Sequence, residues 1–280
     1  MTAIPTKLYE AFEKIRLGRV DEGVRLFDRI EGYDTAKAIP LAELCYFRHD
    51  WKRGIQFSLE FLASKIDWET VRYHFDGYKR EHLDLILVAT CQLGCWKESR
   101  AALEELKKES PPNPNIRSNY EKYQVAISLV ADPENTTRRL TESRPKPRTK
   151  GQKDLEYFED QIRFRRSIFD KRKGNEHFYD SLVYNVFRQA SSENHCLFYE
   201  SRFDSLALPQ SHIEAAKSYI ALERMREAKE AIRAYMRCWE FKEPFQVAPI
   251  VLFTDHELWP ILSDRHFTES LLTIPHHRES

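Results

Sequence analysis

Leu17-Gly-Arg-Val-Asp-Glu-Gly-Val-Arg-Leu-Phe27 aligns without a gap with Arg48-His-Asp-Trp-Lys-Arg-Gly-Ile-Gln-Phe-Ser58, Leu93-Gly-Cys-Trp-Lys-Glu-Ser-Arg-Ala-Ala-Leu103 and Leu222-Glu-Arg-Met-Arg-Glu-Ala-Lys-Glu-Ala-Ile232. Each stretch follows one apolar-periodic run and leads into another. The fourth column holds Val20, Trp51, Trp96 and Met225, all large. The seventh holds Gly23, Gly54, Ser99 and Ala228, all small. Seven residues before the second position of each turn stand Ala11, Ala42, Leu87 and Ala216. Two antiparallel helices approach closely only where a side chain is small, and a large apolar residue at the start of the second helix fills the end of the pair. A glycine or polar residue at the turn ends the first helix with a left-handed or open cap. The pattern therefore predicts helical hairpins.

Glycine usage agrees. Only 8 of 280 residues are glycine, about 3% against a usual value near 7%, and none follows Gly174. Five of them (Gly18, Gly23, Gly54, Gly94 and Gly174) sit in or beside the predicted turns and helix contacts. No GxGxxG and no GxxxxGK[ST] occurs, so no phosphate-cradling loop is expected.

The aligned stretches resemble the tetratricopeptide repeat, a helix–turn–helix unit of about 34 residues. The resemblance covers Thr6–Ile30, Leu41–Leu62, Leu83–Leu106 and Ser211–Tyr235. Gly94-Cys-Trp-Lys-Glu-Ser and Asp50-Trp-Lys-Arg-Gly echo the signature of the family turn. The spacing is irregular, 31 residues from Gly18 to His49 and 45 from His49 to Gly94, and the family's proline after the second helix is mostly missing. The resemblance implies an all-α fold: a right-handed superhelix of antiparallel helix pairs. Asp255–Leu272 is similar to a tail common on bacterial tetratricopeptide proteins and is expected to cap the last repeat. One strand-like stretch, Gln246–Phe253 (QVAPIVLF), is interrupted by Pro249.

Three segments are predicted: an array over 1–110, a helix with proline-rich and basic linkers over 111–153, and a C-terminal array with its capping tail over 154–280. Further helices are expected over Asp67–Tyr78, Tyr120–Val130, Leu155–Lys173 and His177–Arg188. Breaks fall at Ser110–Asn115 and Thr141–Lys153.

Lys plus Arg and Asp plus Glu both number 44. A neutral chain exerts no net pull on nucleic acid or anionic membrane. No apolar run of about 18 residues marks a membrane span, and no signal-peptide pattern opens the sequence. Five scattered cysteines suit reduced thiols in the cytoplasm. Cys91 and Cys95 share a helical spacing but lack two matching ligands, and His74 and His82 lie near Glu81 and Asp84 on what reads as a solvated helix face. No metal or other cofactor is expected. The exception to neutrality is Arg138–Lys173, with 13 basic and 6 acidic residues, where Arg144, Lys146, Arg148, Lys150 and Lys153 form an expected basic surface.

Function in stacked helix pairs lies in the concave groove lined by the first helices. The register places Glu43, Tyr46, Phe47, Asp84, Val88, Gln92 and Lys217 there. Amphipathic groups of this kind suit recognition of a partner protein or peptide. The reading is a non-enzymatic protein-binding scaffold, in a specific form a bacterial immunity protein that neutralises a cognate toxin. Two alternatives stand beside it. One is an all-α enzyme with a site assembled from distant helices, for example around Glu81, His82 and Asp84. The other is RNA binding through residues 138–173.

Overall fold

A computed structural model describes residues 6–63, 82, 85–86, 89, 144–148, 191–202, 209–241 and 245–276. The helices in these residues are α1 (Thr6–Arg16), α2 (Val20–Asp28), α3 (Asp34–Phe47), α4 (Trp51–Ala63), α5 (Ser192–Arg202), α6 (Pro209–Ala221), α7 (Met225–Cys238), α8 (Val251–Thr254), α9 (Trp259–Leu262) and α10 (Arg265–Leu271). A 3-10 turn, His256–Leu258, joins α8 to α9. No strand occurs among the described residues. The strand-like stretch 246–253 is instead irregular up to Ile250 and helical from Val251. The hairpin around Gly94, the helices expected within 64–81, 120–130 and 155–188, and the proline-rich break at 110–115 lie outside the described residues.

Three of the four aligned stretches are present, and their turns share one hydrogen-bond pattern. In the first, Gly18 N–H donates to Ile15 C=O (2.9 Å) and Arg19 N–H to Lys14 C=O (2.8 Å). In the second, His49 N–H donates to Tyr46 C=O (3.1 Å) and Asp50 N–H to Cys45 C=O (2.8 Å). In the third, Glu223 N–H donates to Ile220 C=O (3.0 Å) and Arg224 N–H to Tyr219 C=O (2.8 Å). This paired pattern is the Schellman cap, which satisfies the last carbonyls of a helix and requires a left-handed residue after it. That residue is Gly18 (φ 77°), His49 (φ 53°) or Glu223 (φ 60°).

Two of the three positions lack glycine, so their backbones carry strain of about 1–2 kcal/mol each. Glu223→Gly is therefore expected to stabilise the protein by roughly 0.5–1 kcal/mol, since the native conformation suits glycine and Glu223 is exposed. Gly18→Ala has the opposite sign. A Cβ there meets Thr273 O at 2.6 Å as well as the unfavourable φ. Thermal melts of the two variants check the pair; equal signs would contradict the cap assignment.

The small columns also act as expected. Ala11, Ala42, Ala216 and Ala228 are each fully buried. A Cβ on Gly23 would sit 2.4 Å from Ile15 Cγ1 and 2.6 Å from Ala11 O. A Cβ on Gly54 would sit 3.0–3.3 Å from the Tyr46 ring. Ile15 and Tyr46 occupy the same register, four residues after Ala11 and Ala42. Close approach of backbones at Gly23 is thus built into the first hairpin.

The chain divides into two compact units. The first is Met1–Ser143 with Phe241–His277, and the second is Arg144–Glu240 with Arg278–Ser280. This corrects the expected organisation, which assigned the C-terminal tail to the preceding array. The tail belongs to the first unit. Phe253 packs edge-on against Phe47 (5.0 Å between ring centres) and Trp51 (5.9 Å), and Trp259 lies 6.0 Å from Trp51. Leu252, Leu258, Leu262 and Leu271 are buried. Asp255 and Asp264 cap the short helices through Glu257 N–H and Phe267 N–H. In the second unit α6 and α7 form one hairpin and α5 packs on α6.

Candidate functional site

The first unit brings Glu43, Tyr46 and Phe47 together on α3, but not as an open groove. All three are fully buried. Glu43 and Phe47 meet the tail, and Tyr46 turns to α4, so none of the three lines the expected open groove. Glu43 Oε2 accepts Val247 N–H at 2.6 Å and Ala248 N–H at 2.9 Å. Arg16 on α1 is 4% exposed and donates from Nε (3.0 Å) and Nη2 (2.8 Å) to Gln246 C=O. The guanidinium also lies over the Phe241 ring at 3.5 Å and pairs with Glu13 at 3.0 Å. His276 N–H returns to Arg16 C=O at 2.7 Å. His49 stacks on Trp51 at 4.7 Å, and its Nε2 lies 3.0 Å from Leu262 O and 3.2 Å from Thr268 Oγ1. Sequence reading selected Glu43 for its register and overlooked Arg16, whose place at the end of a helix looked like an ordinary basic residue.

A buried polar chain lies beside this face. Tyr46 OH is 3.0 Å from Ser58 Oγ, and Ser58 Oγ is 2.9 Å from His82 Nδ1. A serine within hydrogen-bond reach of a histidine is the geometry of an activated nucleophile. Here both residues are fully buried. Burial pushes the His82 imidazole down to about 3, so it stays neutral, and pushes the Tyr46 phenol up. The chain joins α3 to α4 and to His82. Glu81 and Asp84, placed near His82 by the enzyme alternative, lie outside the described residues, as do Val88 and Gln92.

In the second unit Arg148 departs from its expected role in an exposed basic surface. Its backbone pairs with Ser192, N–H to Oγ at 2.9 Å and C=O from N–H at 3.1 Å. Its Nη2 donates to Ser218 Oγ at 3.0 Å. Ser218 Oγ is also 2.7 Å from His195 Nδ1. Burial first, then the Arg148 charge, push His195 down to about 3. Arg144 and Lys146 are exposed, whereas Lys150 and Lys153 lie outside the described residues. Lys217 is partly buried and pairs with Glu214 at 3.4 Å.

An open cleft of about 420 Å³ lies on the same unit, lined by Tyr199, Glu200, Tyr219, Arg226, Glu227, Glu230 and Ala231. None of these was singled out in the sequence. Tyr199 and Tyr219 meet edge-on at 6.1 Å. Tyr219 OH donates to Glu200 at 3.0 Å, and Arg224 bridges Glu200 and Glu227 at 2.9 Å each. Glu230 pairs with Arg233. The lining itself carries three carboxylates, Glu200, Glu227 and Glu230, and one cation, Arg226.

Burial raises the thiols of Cys45 and Cys238 to about 11 and that of Cys196 to about 12, so none is a ready nucleophile at neutral pH. Among the described residues no three His, Cys, Asp or Glu side chains gather to hold a metal, and no helix is long and apolar enough to cross a membrane.

Burial lowers three histidines, His49, His82 and His195, and the last two, the most depressed, set a pH dependence. The unfolded chain takes up a proton on each near 6.5, and the folded chain refuses it until about 3. Stability is full above 6.5 and falls with pH below it, by about 1.4 kcal/mol per unit per histidine. Denaturant melts at pH 7 and pH 5 are expected to differ by about 2 kcal/mol for each histidine. A His82→Gln variant that keeps the full wild-type slope would contradict this.

No protein-family model, curated protein or solved structure matches the chain.

Proposed function

We propose that the chain is a non-enzymatic protein-binding scaffold whose hairpins stack in a tetratricopeptide-like superhelix and act in the cytoplasm. The observation that carries this reading is the hairpin itself. The same cap recurs around Gly18, His49 and Glu223, in both units, and each is followed by a buried small residue, Gly23, Gly54 or Ala228. A unit that repeats packing rather than a constellation of reactive groups suits recognition over extended surface. The two Ser–His pairs support the same choice over the enzyme alternative. Both are buried, so neither pair is open to a substrate. Inhibition of a single cognate toxin is the specific form we propose for the bacterial case.

The test is affinity purification of the tagged full chain from its native host. One protein retained in stoichiometric amount through gel filtration is the expected result. Co-purifying RNA lost on neutralising Arg144 and Lys146 would favour the nucleic-acid reading. An enzymatic activity abolished by changing one acid or histidine, with the fold intact, would overturn the scaffold.

A further inference from the structure

We propose that the face of α1 and α3 occupied by residues 245–253 is a binding site for non-helical, turned peptide main chain, filled in this molecule by its own tail. The inference deepens the scaffold reading and depends on it. Residues 245–250 form no helix, so their backbone groups need partners from elsewhere. Arg16 and Glu43 supply them. The guanidinium takes the Gln246 carbonyl with two nitrogens, and the carboxylate takes the next two N–H groups, of Val247 and Ala248. Both charged side chains are at least 96% buried. Both are directed at main-chain atoms, so the clamp reads backbone direction and spacing rather than side-chain identity.

The seated segment defines the ligand. Phe245-Gln-Val-Ala-Pro-Ile-Val-Leu-Phe-Thr254 carries no charge. Phe245, Val247, Ala248 and Ile250 are buried, and Phe253 anchors the far end against Phe47 and Trp51. The occupant in trans is thus a turned, uncharged, apolar segment of a partner protein, with free N–H groups at two consecutive positions that converge on one acceptor and a large apolar anchor about six residues on. The tail holds the site closed until such a segment replaces it.

The test uses the full chain carrying Phe253→Ala, which loosens the tail and leaves Arg16 and Glu43 in place. The probe is a fluorescein-labelled synthetic peptide of the wild-type residues 245–262. The loosened chain is expected to bind the probe at least tenfold more tightly than the wild-type chain. Adding Glu43→Gln is expected to weaken that binding at least tenfold. A folded Phe253→Ala chain that ignores the probe, or binds it equally well with Glu43→Gln, overturns the proposal. So does dimerisation of the loosened chain in the absence of probe, which would assign the site to a second copy. If Phe253→Ala does not fold, amide hydrogen exchange of the wild-type chain decides. Residues 245–262 opening ahead of α1–α4 supports the site, and exchange only on global unfolding overturns it. A host partner that still binds the Glu43→Gln chain at full strength would sink this site while leaving the scaffold reading in place.

Discussion

Glu43→Ala is expected to destabilise the first unit by about 3–5 kcal/mol, the cost of leaving buried donors without their charged acceptor. Val247 N–H and Ala248 N–H sit 2.6 and 2.9 Å from one oxygen of this fully buried carboxylate. Removing it exposes neither group to water, because Val247 and Ala248 are themselves buried. For a unit of this size each kcal/mol moves the melting temperature by about 2–4 °C, so a fall of about 10 °C or more is expected. A fall of under about 2 °C would mean that the carboxylate does not hold the tail. Thermal unfolding followed by far-ultraviolet circular dichroism reads the difference.

Phe253→Ala is the second large effect, and its cause is different. The ring is 1% exposed and meets four ring neighbours, Phe47, Trp51, His49 and Trp259, at centroid distances of 5.0, 5.9, 6.4 and 6.5 Å. Truncation removes apolar burial and leaves a void among rigid rings that collapse poorly. The expected cost is about 3–5 kcal/mol. Phe253→Leu keeps much of the volume and is expected to cost less than half as much. Equal losses for the two variants in a urea titration would point to a role other than packing. The two predictions act on one contact from opposite ends of the segment, so their combination is expected to fall short of the sum of the single losses.

The hairpins were legible in the sequence because their determinants are local. The turn at Gly18, the large residue at Val20 and the small one at Gly23 lie within six positions, and each has a direct steric reason. The third hairpin was legible despite Glu223 in the place of glycine, since Ala216, Met225 and Ala228 kept the packing columns. The candidate site was legible only in part. Register put Glu43, Tyr46 and Phe47 on one face of α3, whereas Glu43 and Phe47 meet the tail and Tyr46 turns to α4. Nothing within that helix shows that the face is covered by residues more than 200 positions away. The bonds from Glu43 to Val247 and Ala248, and from Arg16 to Gln246, span 204, 205 and 230 residues. Periodicity carries no information at that range. Arg148 failed for the same reason. Read among lysines and prolines it looked like a surface charge, yet its guanidinium reaches Ser218, 70 residues on. Pro249 was read correctly as an obstacle to a strand. What the broken segment does instead, turning across two charged side chains, needed the structure.

The most direct measurement is amide hydrogen exchange by mass spectrometry on the wild-type and Glu43→Ala chains under native conditions. If the tail is held on the first unit by the Glu43 clamp, Glu43→Ala strips protection from residues 245–250 and from the tail helices α8–α10. The hairpin of α6 and α7 in the second unit keeps its wild-type protection. Unchanged protection over residues 245–276 in the Glu43→Ala chain would contradict the account.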